Sequence, residues 1–212
     1  MNKRISLGIA RVFFGVLALV AVGAQLVVHI QHHFSVVNFF SYFTNLSNII
    51  AALVLLVGAY ALRREPGLTG TPRYALVRAA AVVAMAIVGV VYGVLLRNED
   101  LGSLMPWVNI VVHYVMPVVV VLDWLYKPPR SSLNQRQIGF VLIYPALYLV
   151  YTLTRGAVLG WYPYPFLNPS HVGGYGEVAL YCAAIFIAFL VVGWAAISLG
   201  DILQRRMVIQ PA

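Results

Sequence analysis

The sequence predicts an all-α integral membrane protein, a single bundle of six transmembrane helices, and three observations carry that prediction. Of the 212 residues, 62% are hydrophobic and only 9% are charged, against about 25% charged in soluble globular domains. The apolar residues gather into six blocks, each near the roughly 20 residues that a helix needs to cross the hydrocarbon layer. The basic residues collect between alternate blocks, the charge asymmetry expected of a multi-pass protein.

The first block covers about 5–29. Lys3, Arg4 and Arg11 precede or enter it, and Val22-Gly23-Ala24 resembles a signal-peptide cleavage site. The apolar run continues through Leu26, Val27, Val28 and Ile30, so a retained helix is expected. The remaining blocks cover about 37–62, 74–96, 105–126, 138–159 and 175–199. Pro66-Gly67 and Pro128-Pro129 punctuate two of the connections. Trp161, Tyr162, Tyr164 and Phe166 follow the fifth block, where aromatic rings are expected at headgroup depth. All connections are short, so residues 1–212 read as one transmembrane domain with no internal repeat.

Fourteen Lys and Arg against six Asp and Glu give a net charge of +8. In a soluble chain that would suggest nucleic acid as a partner. Here Lys3, Arg4, Arg63, Arg64, Arg73, Arg78, Lys127, Arg130, Arg136, Arg205 and Arg206 all fall on one side of six spans, and the other side holds mainly Arg97 and Arg155. The charge therefore reads as topogenic, with anionic membrane lipids and not nucleic acid as its partners. Both termini are expected in the cytoplasm. The one cysteine, Cys182, excludes an internal disulfide and a cysteine metal site.

Polar groups inside a bilayer are costly and point to function. In the second block Thr44, Ser47, Asn48 and Ala51 follow i, i+3, i+4, i+7 spacing and share one face. Close packing of small and hydroxylated residues is the plain explanation of that face. Asn45-Leu46-Ser47 is formally a glycosylation sequon, but it lies within a span. In the fourth block Asn109, His113 and Pro117 share a face, and His113 is the one histidine well inside a span. The fifth block carries Tyr148, Tyr151, Thr152 and Arg155 together. Arg155 either snorkels to the interface or binds a carboxylate or phosphate.

Depth links the three faces. With helix entry near Phe40 and Met105, Thr44 and His113 lie about 6 and about 12 Å along their helices at 1.5 Å per residue. Tyr151 and Arg155 fall in the same half of the membrane. A polar cavity open to the outer half is the expectation. His29, His32 and His33 sit at a helix end with no neighbouring carboxylate and read as an interfacial cluster, so no metal and no cofactor are expected. No glycine-rich phosphate loop, G-x-S-x-G elbow or H-E-x-x-H pair is present.

At Tyr42-Phe43-Thr44-Asn45-Leu46-Ser47-Asn48 the chain resembles the androgen-induced protein family, which includes the androgen-dependent TFPI-regulating protein and bacterial relatives. The likeness continues at His113-Tyr114-Val115-Met116-Pro117, Asp123-Trp124, Tyr144-Pro145, Tyr151-Thr152-Leu153-Thr154-Arg155-Gly156 and Trp161-Tyr162-Pro163-Tyr164-Pro165-Phe166-Leu167. It covers most of the chain from the second block on, and it suggests a bacterial-type member in the plasma membrane. The animal members are six-helix hydrolases of fatty acid esters of hydroxy fatty acids. By that resemblance Thr44 matches the threonine nucleophile and His113 the histidine.

The chemistry is coherent with the residues. A threonine hydroxyl needs a base to take its proton, and His113 can accept it and return it to the leaving alcohol. Asn45, Asn48, Asn109 and Tyr151 are candidate oxyanion donors, and Arg155 is a candidate for the free carboxylate of a fatty-acid substrate. Asp123 lies about 15 Å further along the helix of His113. Glu177 is therefore the better candidate to orient the imidazole. The alternative function is a non-enzymatic lipid-binding or lipid-transport protein using the same cavity. A bundle whose polar residues only pack is the third reading. The sequence leaves the oligomeric state open.

Overall fold

The computed structural model describes residues 3–100 and 102–209, without the side chains of Lys3 and of residues 207–209. Met1, Asn2, Leu101 and residues 210–212 lie outside the described residues, as does the side chain of Lys3 counted above among the basic residues. Among the described residues all regular structure is helical. The α-helices are α1 (Lys3–Gln31), α2 (Val36–Phe40), α3 (Phe43–Arg63), α4 (Pro72–Val91), α5 (Pro106–Ile110), α6 (Met116–Tyr126), α7 (Ile138–Leu159), α8 (Pro169–Val172) and α9 (Tyr175–Ile209). Six helical segments are long and apolar enough to cross a membrane.

Alternation of six spans gives the bundle two ends. The terminal end holds the start of α1, the end of α9 and the α3–α4 and α6–α7 connections. Those connections touch: Arg130 Nη1 donates to the Pro66 carbonyl at 3.4 Å, and the Ser131 hydroxyl donates to the Gly70 carbonyl. At the other end Gln25 near the close of α1 clamps the approach to α5, donating to the Ser103 carbonyl and accepting from Met105 N–H, both at 3.0 Å. Local sequence sets the helix starts. Thr71 accepts from Tyr74 N–H ahead of Pro72, whose fixed φ suits the first helical position. Asn134 and Gln137 form a capping box before α7, which stops at left-handed Gly160.

The core runs along α4, of whose apolar stretch 56% is buried, against 11% for α7. Small residues let α1, α3 and α4 approach closely: Ala18, Ala21, Ala51, Ala52 and Ala79 are fully or almost fully buried. The outward faces are equally apolar, with Val94, Val118, Leu147, Val158 and Leu180 all exposed. A hydrocarbon solvent explains such a surface, and water does not.

Three departures from the sequence expectations have physical causes. The second block is broken: α2 ends at Ser41, and extended Tyr42 (φ −81°, ψ 125°) separates it from α3. Thr44 is therefore the second residue of a helix and not several ångströms along one. The third and fourth spans each contain a π-helical turn, Tyr92–Leu96 and Val111–Val115. In the latter, Pro117 has no N–H to offer the His113 carbonyl, and the Met116 N–H reaches back to the Val111 carbonyl. Lastly, Arg11 and Arg78 are not loop charges. They are buried, 3% and 4% exposed, and both hold Asp123. Arg11 forks onto the carboxylate at 2.7 and 3.1 Å, Arg78 adds a third contact at 2.9 Å, and Gly58 leaves the room that Arg11 needs.

Candidate active site

The joint between α2 and α3 is the organising feature of the polar end. α7 docks on it through the face that carries Tyr148, Tyr151 and Arg155. Tyr148 OH donates to the Ser41 carbonyl at 2.9 Å, Tyr151 OH and Ser41 Oγ share a hydrogen bond at 2.9 Å, and Arg155 Nη2 donates to Asn38 Oδ1 at 2.6 Å. Deeper down, Tyr144 OH and Ser47 Oγ meet at 3.1 Å, and Phe43 stacks on Tyr144. These contacts fix where α3 begins, and hence where Thr44 stands.

Starting α3 at Phe43 has a chemical consequence. The first N–H groups of a helix have no partner within it, and Tyr42 supplies no side-chain cap. The Thr44 N–H instead meets Tyr164 OH at 3.3 Å, and the same hydroxyl lies 3.4 Å from Thr44 Oγ1. Tyr164 belongs to the segment after α7. Gly156 allows that segment to fold back, since a Cβ there would lie 2.0 Å from the Tyr162 ring. Burial pushes the Tyr164 phenol above its ordinary value of 10.0, so it is a proton donor at neutral pH.

His113 lies in the π-helical turn of the fourth span. Its ring stacks on Tyr92, which begins the other π-helical turn, with centroids 4.0 Å apart and planes 14° apart. Its Nδ1 is 2.6 Å from Asn109 Oδ1, and Asn109 Nδ2 donates to Tyr92 OH at 2.8 Å. An amide oxygen only accepts, so Nδ1 carries the proton and Nε2 keeps the lone pair. Among the described residues Nε2 has no hydrogen-bond partner. Asn48, fully buried, ties the two helices together: its Nδ2 donates to the Thr44 carbonyl at 2.9 Å and to the Val112 carbonyl at 3.2 Å. One amide thus connects the backbone of Thr44 to the residue beside His113.

Two cavities meet here. A vestibule of about 450 Å³ is lined by Thr44, His113, Asn45, Asn38, Gln25 and His29, with Glu99 and Asp100 at its charged side. An apolar chamber of about 310 Å³ lies beyond it, between α3, α4, α7 and α9. Thr44, Tyr92, Leu96 and Tyr164 line both, and the boundary that they form between the two cavities is here called the neck. Thr44 Oγ1 and His113 share the vestibule without a hydrogen bond to one another.

The other expected residues are distributed unevenly. Asn45 lines the vestibule, but its amide donates to the Phe39 carbonyl at 2.8 Å. Asn48, Asn109 and Tyr151 line neither cavity and make hydrogen bonds to other parts of the bundle. Arg155 stands behind the wall. Its guanidinium lies 5.0 Å from the Trp161 ring, and both Asn38 and Trp161 face the vestibule where Arg155 does not. Glu177 lines neither cavity; its carboxylate sits beside Gly173 and Gly174 in the first turn of α9. The group on His113 Nδ1 is Asn109, already on the same helix face, and not Glu177. Asp123 is occupied by Arg11 and Arg78. His29 donates to the Ser35 carbonyl, and no group of three metal-ligating side chains occurs among the described residues.

Sequence reasoning missed Tyr164 and Tyr92. Tyr164 reads as one more ring of an interfacial belt, and only the fold shows it, half-buried, against Thr44. Tyr92 had no polar neighbour in sequence to draw attention to it. No protein-family model, no curated protein and no solved structure matches the chain.

Proposed function

We propose that the protein is an intramembrane hydrolase of lipid esters, with Thr44 as nucleophile and His113 as general base. The observation that carries this reading is His113: an imidazole that lines the same vestibule as Thr44 and whose Nδ1 is held by Asn109, leaving Nε2 with the lone pair. The motif resemblance at Thr44 and His113 adds support. In the first step Thr44 Oγ1 bonds to the ester carbonyl carbon and His113 Nε2 takes the hydroxyl proton. The oxyanion is received by the Thr44 N–H, which in the free protein donates to the Tyr164 oxygen at 3.3 Å, and by the Tyr164 O–H, once substrate displaces the phenol from that contact. The alkoxy C–O bond then breaks and His113 returns the proton to the alcohol. Water, deprotonated by the same nitrogen, then bonds to the acyl carbon, the acyl–Oγ1 bond breaks to release the fatty acid, and His113 returns the proton to Thr44 Oγ1. The gap between Thr44 Oγ1 and His113 closes on substrate binding, as catalytic hydrogen bonds commonly do.

The chemistry requires no cofactor. The basic connections at the terminal end favour a cytoplasmic location for both termini, in a bacterial plasma membrane, with the site in the outer half. Fatty acid esters of hydroxy fatty acids are the substrates that the resemblance suggests. Glu99 and Asp100 in the vestibule argue instead for an alcohol portion without a negative charge, unlike a hydroxy fatty acid, whose free carboxylate they would repel.

A fluorophosphonate probe is expected to label the purified protein at Thr44. Thr44→Ala and His113→Ala are each expected to abolish ester hydrolysis without loss of the fold. Full activity in either variant refutes the assignment. Among the described residues Thr44 Oγ1 shares its hydrogen bond with Tyr164 OH and not with His113, which favours lipid binding or transport as the second reading. Transfer of a labelled lipid between liposomes, undiminished in Thr44→Ala, would select it.

A further inference from the structure

We infer that the apolar chamber is the acyl-chain subsite, so that an ester lies across the neck with its acyl chain on the membrane side and its alcohol in the vestibule. This rests on the hydrolase reading and adds the direction in which the substrate lies.

Three observations support that direction. The first is polarity. Apart from Thr44, Cys182 and the tyrosines Tyr92, Tyr148 and Tyr164, every residue lining the chamber is a hydrocarbon, and none is charged. The vestibule adds to a partly apolar wall two carboxylates, Gln25, Asn38 and two imidazoles. An acyl ester has the same division on its two sides, and the site where the divisions coincide is the neck that carries Thr44. The second is shape. The chamber follows α9 from Cys182 to Phe189 and the third span from Ile87 of α4 to Leu96 of the π-helical turn, which at 1.5 Å per residue is a run of about 10 to 14 Å along the bundle axis. A flexible chain fits such a run. The third is access. Val150 of α7 and Phe186 of α9 line the chamber and are also 65% and 50% exposed on the outside of the bundle. They mark a side opening between α7 and α9, through which a chain can enter from the bilayer without leaving hydrocarbon.

Cys182 makes the inference testable, because it lines the chamber and is the single cysteine of the chain. The purified full-length protein in nanodiscs is alkylated with N-ethylmaleimide in the presence of non-hydrolysable ether analogues of an acylglycerol, with short, medium and long alkyl chains. Protection of Cys182 is expected to grow with chain length and to reach about tenfold for the long analogue, an occupancy effect of about 1.4 kcal/mol. It is expected to persist in Thr44→Ala. In parallel, Ala146→Trp introduces bulk at an exposed position that also lines the chamber. Hydrolysis of long-chain esters is expected to fall about tenfold more than that of a short-chain ester with the same alcohol.

Equal reactivity of Cys182 with every analogue, under conditions where the long analogue inhibits turnover, overturns the acyl subsite and leaves the hydrolase reading standing. An Ala146→Trp variant that loses short-chain and long-chain activity alike also overturns it. Protection without turnover of any ester has the opposite meaning: the chamber holds a chain, and the proposed reaction fails.

Discussion

The two ends of this bundle both bury polar groups, and they treat them differently. At the terminal end Arg11, Asp123 and Arg78 form a closed set. Every oxygen of Asp123 is used, Arg11 also reaches the Gly58 carbonyl at 3.3 Å, and Arg78 donates to the Lys127 carbonyl at 2.9 Å while lying over the Trp124 ring. At the Thr44 end the network is left incomplete. Asn48 Oδ1, Thr152 Oγ1 and Arg155 Nη1 are buried without a partner among the described residues, and His113 lines a cavity. A satisfied cluster serves architecture, because it joins α1, α3, α4 and α6 around one carboxylate. Of these groups His113 is the one that lines a cavity, and an unpartnered group beside open volume is where a ligand has something to gain.

The largest expected effect breaks the closed set. Asp123→Asn leaves two buried guanidinium groups without their counter-charge, and removal of one partner from such a cluster costs about 3–5 kcal/mol. Thermal unfolding in detergent is the measurement. Activity per folded molecule is expected to stay at the wild-type level, since the cluster touches neither cavity. A stable Asp123→Asn protein with impaired turnover would reverse the assignment of the two ends.

Next in size is Tyr164→Phe. Loss of one oxyanion donor lowers kcat by about 10²–10³. The ring is kept, so its stacking on Phe166, with planes 4° apart, is kept too. KM and the affinity for an ether analogue are expected to change little, which separates this role from a structural one. A change in KM alone would make Tyr164 a wall of the neck and nothing more.

A smaller effect is expected from Gly156→Ala. The added Cβ displaces Tyr162, and overpacking of this kind costs about 1–3 kcal/mol. The strain falls on the segment that carries Tyr164, so turnover is expected to drop by more than thermal stability does. An equal loss of both would mean that the segment and the bundle unfold together.

The contrast between the ends also marks what was legible in the sequence. Hydropathy placed all six spans, because a lipid solvent demands long apolar runs and local sequence reports them directly. The inward face of α3 was legible for the same reason: Thr44, Ser47, Asn48 and Ala51 are buried together, as their spacing required. Pairings across the chain were not. Arg11 and Asp123 are 112 positions apart, and Thr44 and Tyr164 are 120 apart. No local period records such a pair. The π-helical turns were equally hidden, because one extra residue in a turn leaves the apolar composition of the span unchanged.

Glu177→Gln is the smallest expected effect and the sharpest check on that lesson. Sequence alone favours Glu177 as the partner of His113, since a carboxylate behind an imidazole is the usual way to fix its tautomer. In the fold Glu177 faces Gly173 and Gly174 at the N-terminus of α9, where a negative charge complements the helix dipole. Its neutralisation removes an interaction worth about 0.3–1 kcal/mol at most, and the pH–rate profile is expected to be unchanged. Asn109→Leu, by contrast, frees the His113 ring to change tautomer, and kcat is expected to fall by about 10²-fold or more. An amide in the orienting position also carries no charge to stabilise an imidazolium. The proposed enzyme therefore relies on the neutral imidazole being basic enough by itself, which suits a slow reaction on a substrate delivered by the membrane at high local concentration.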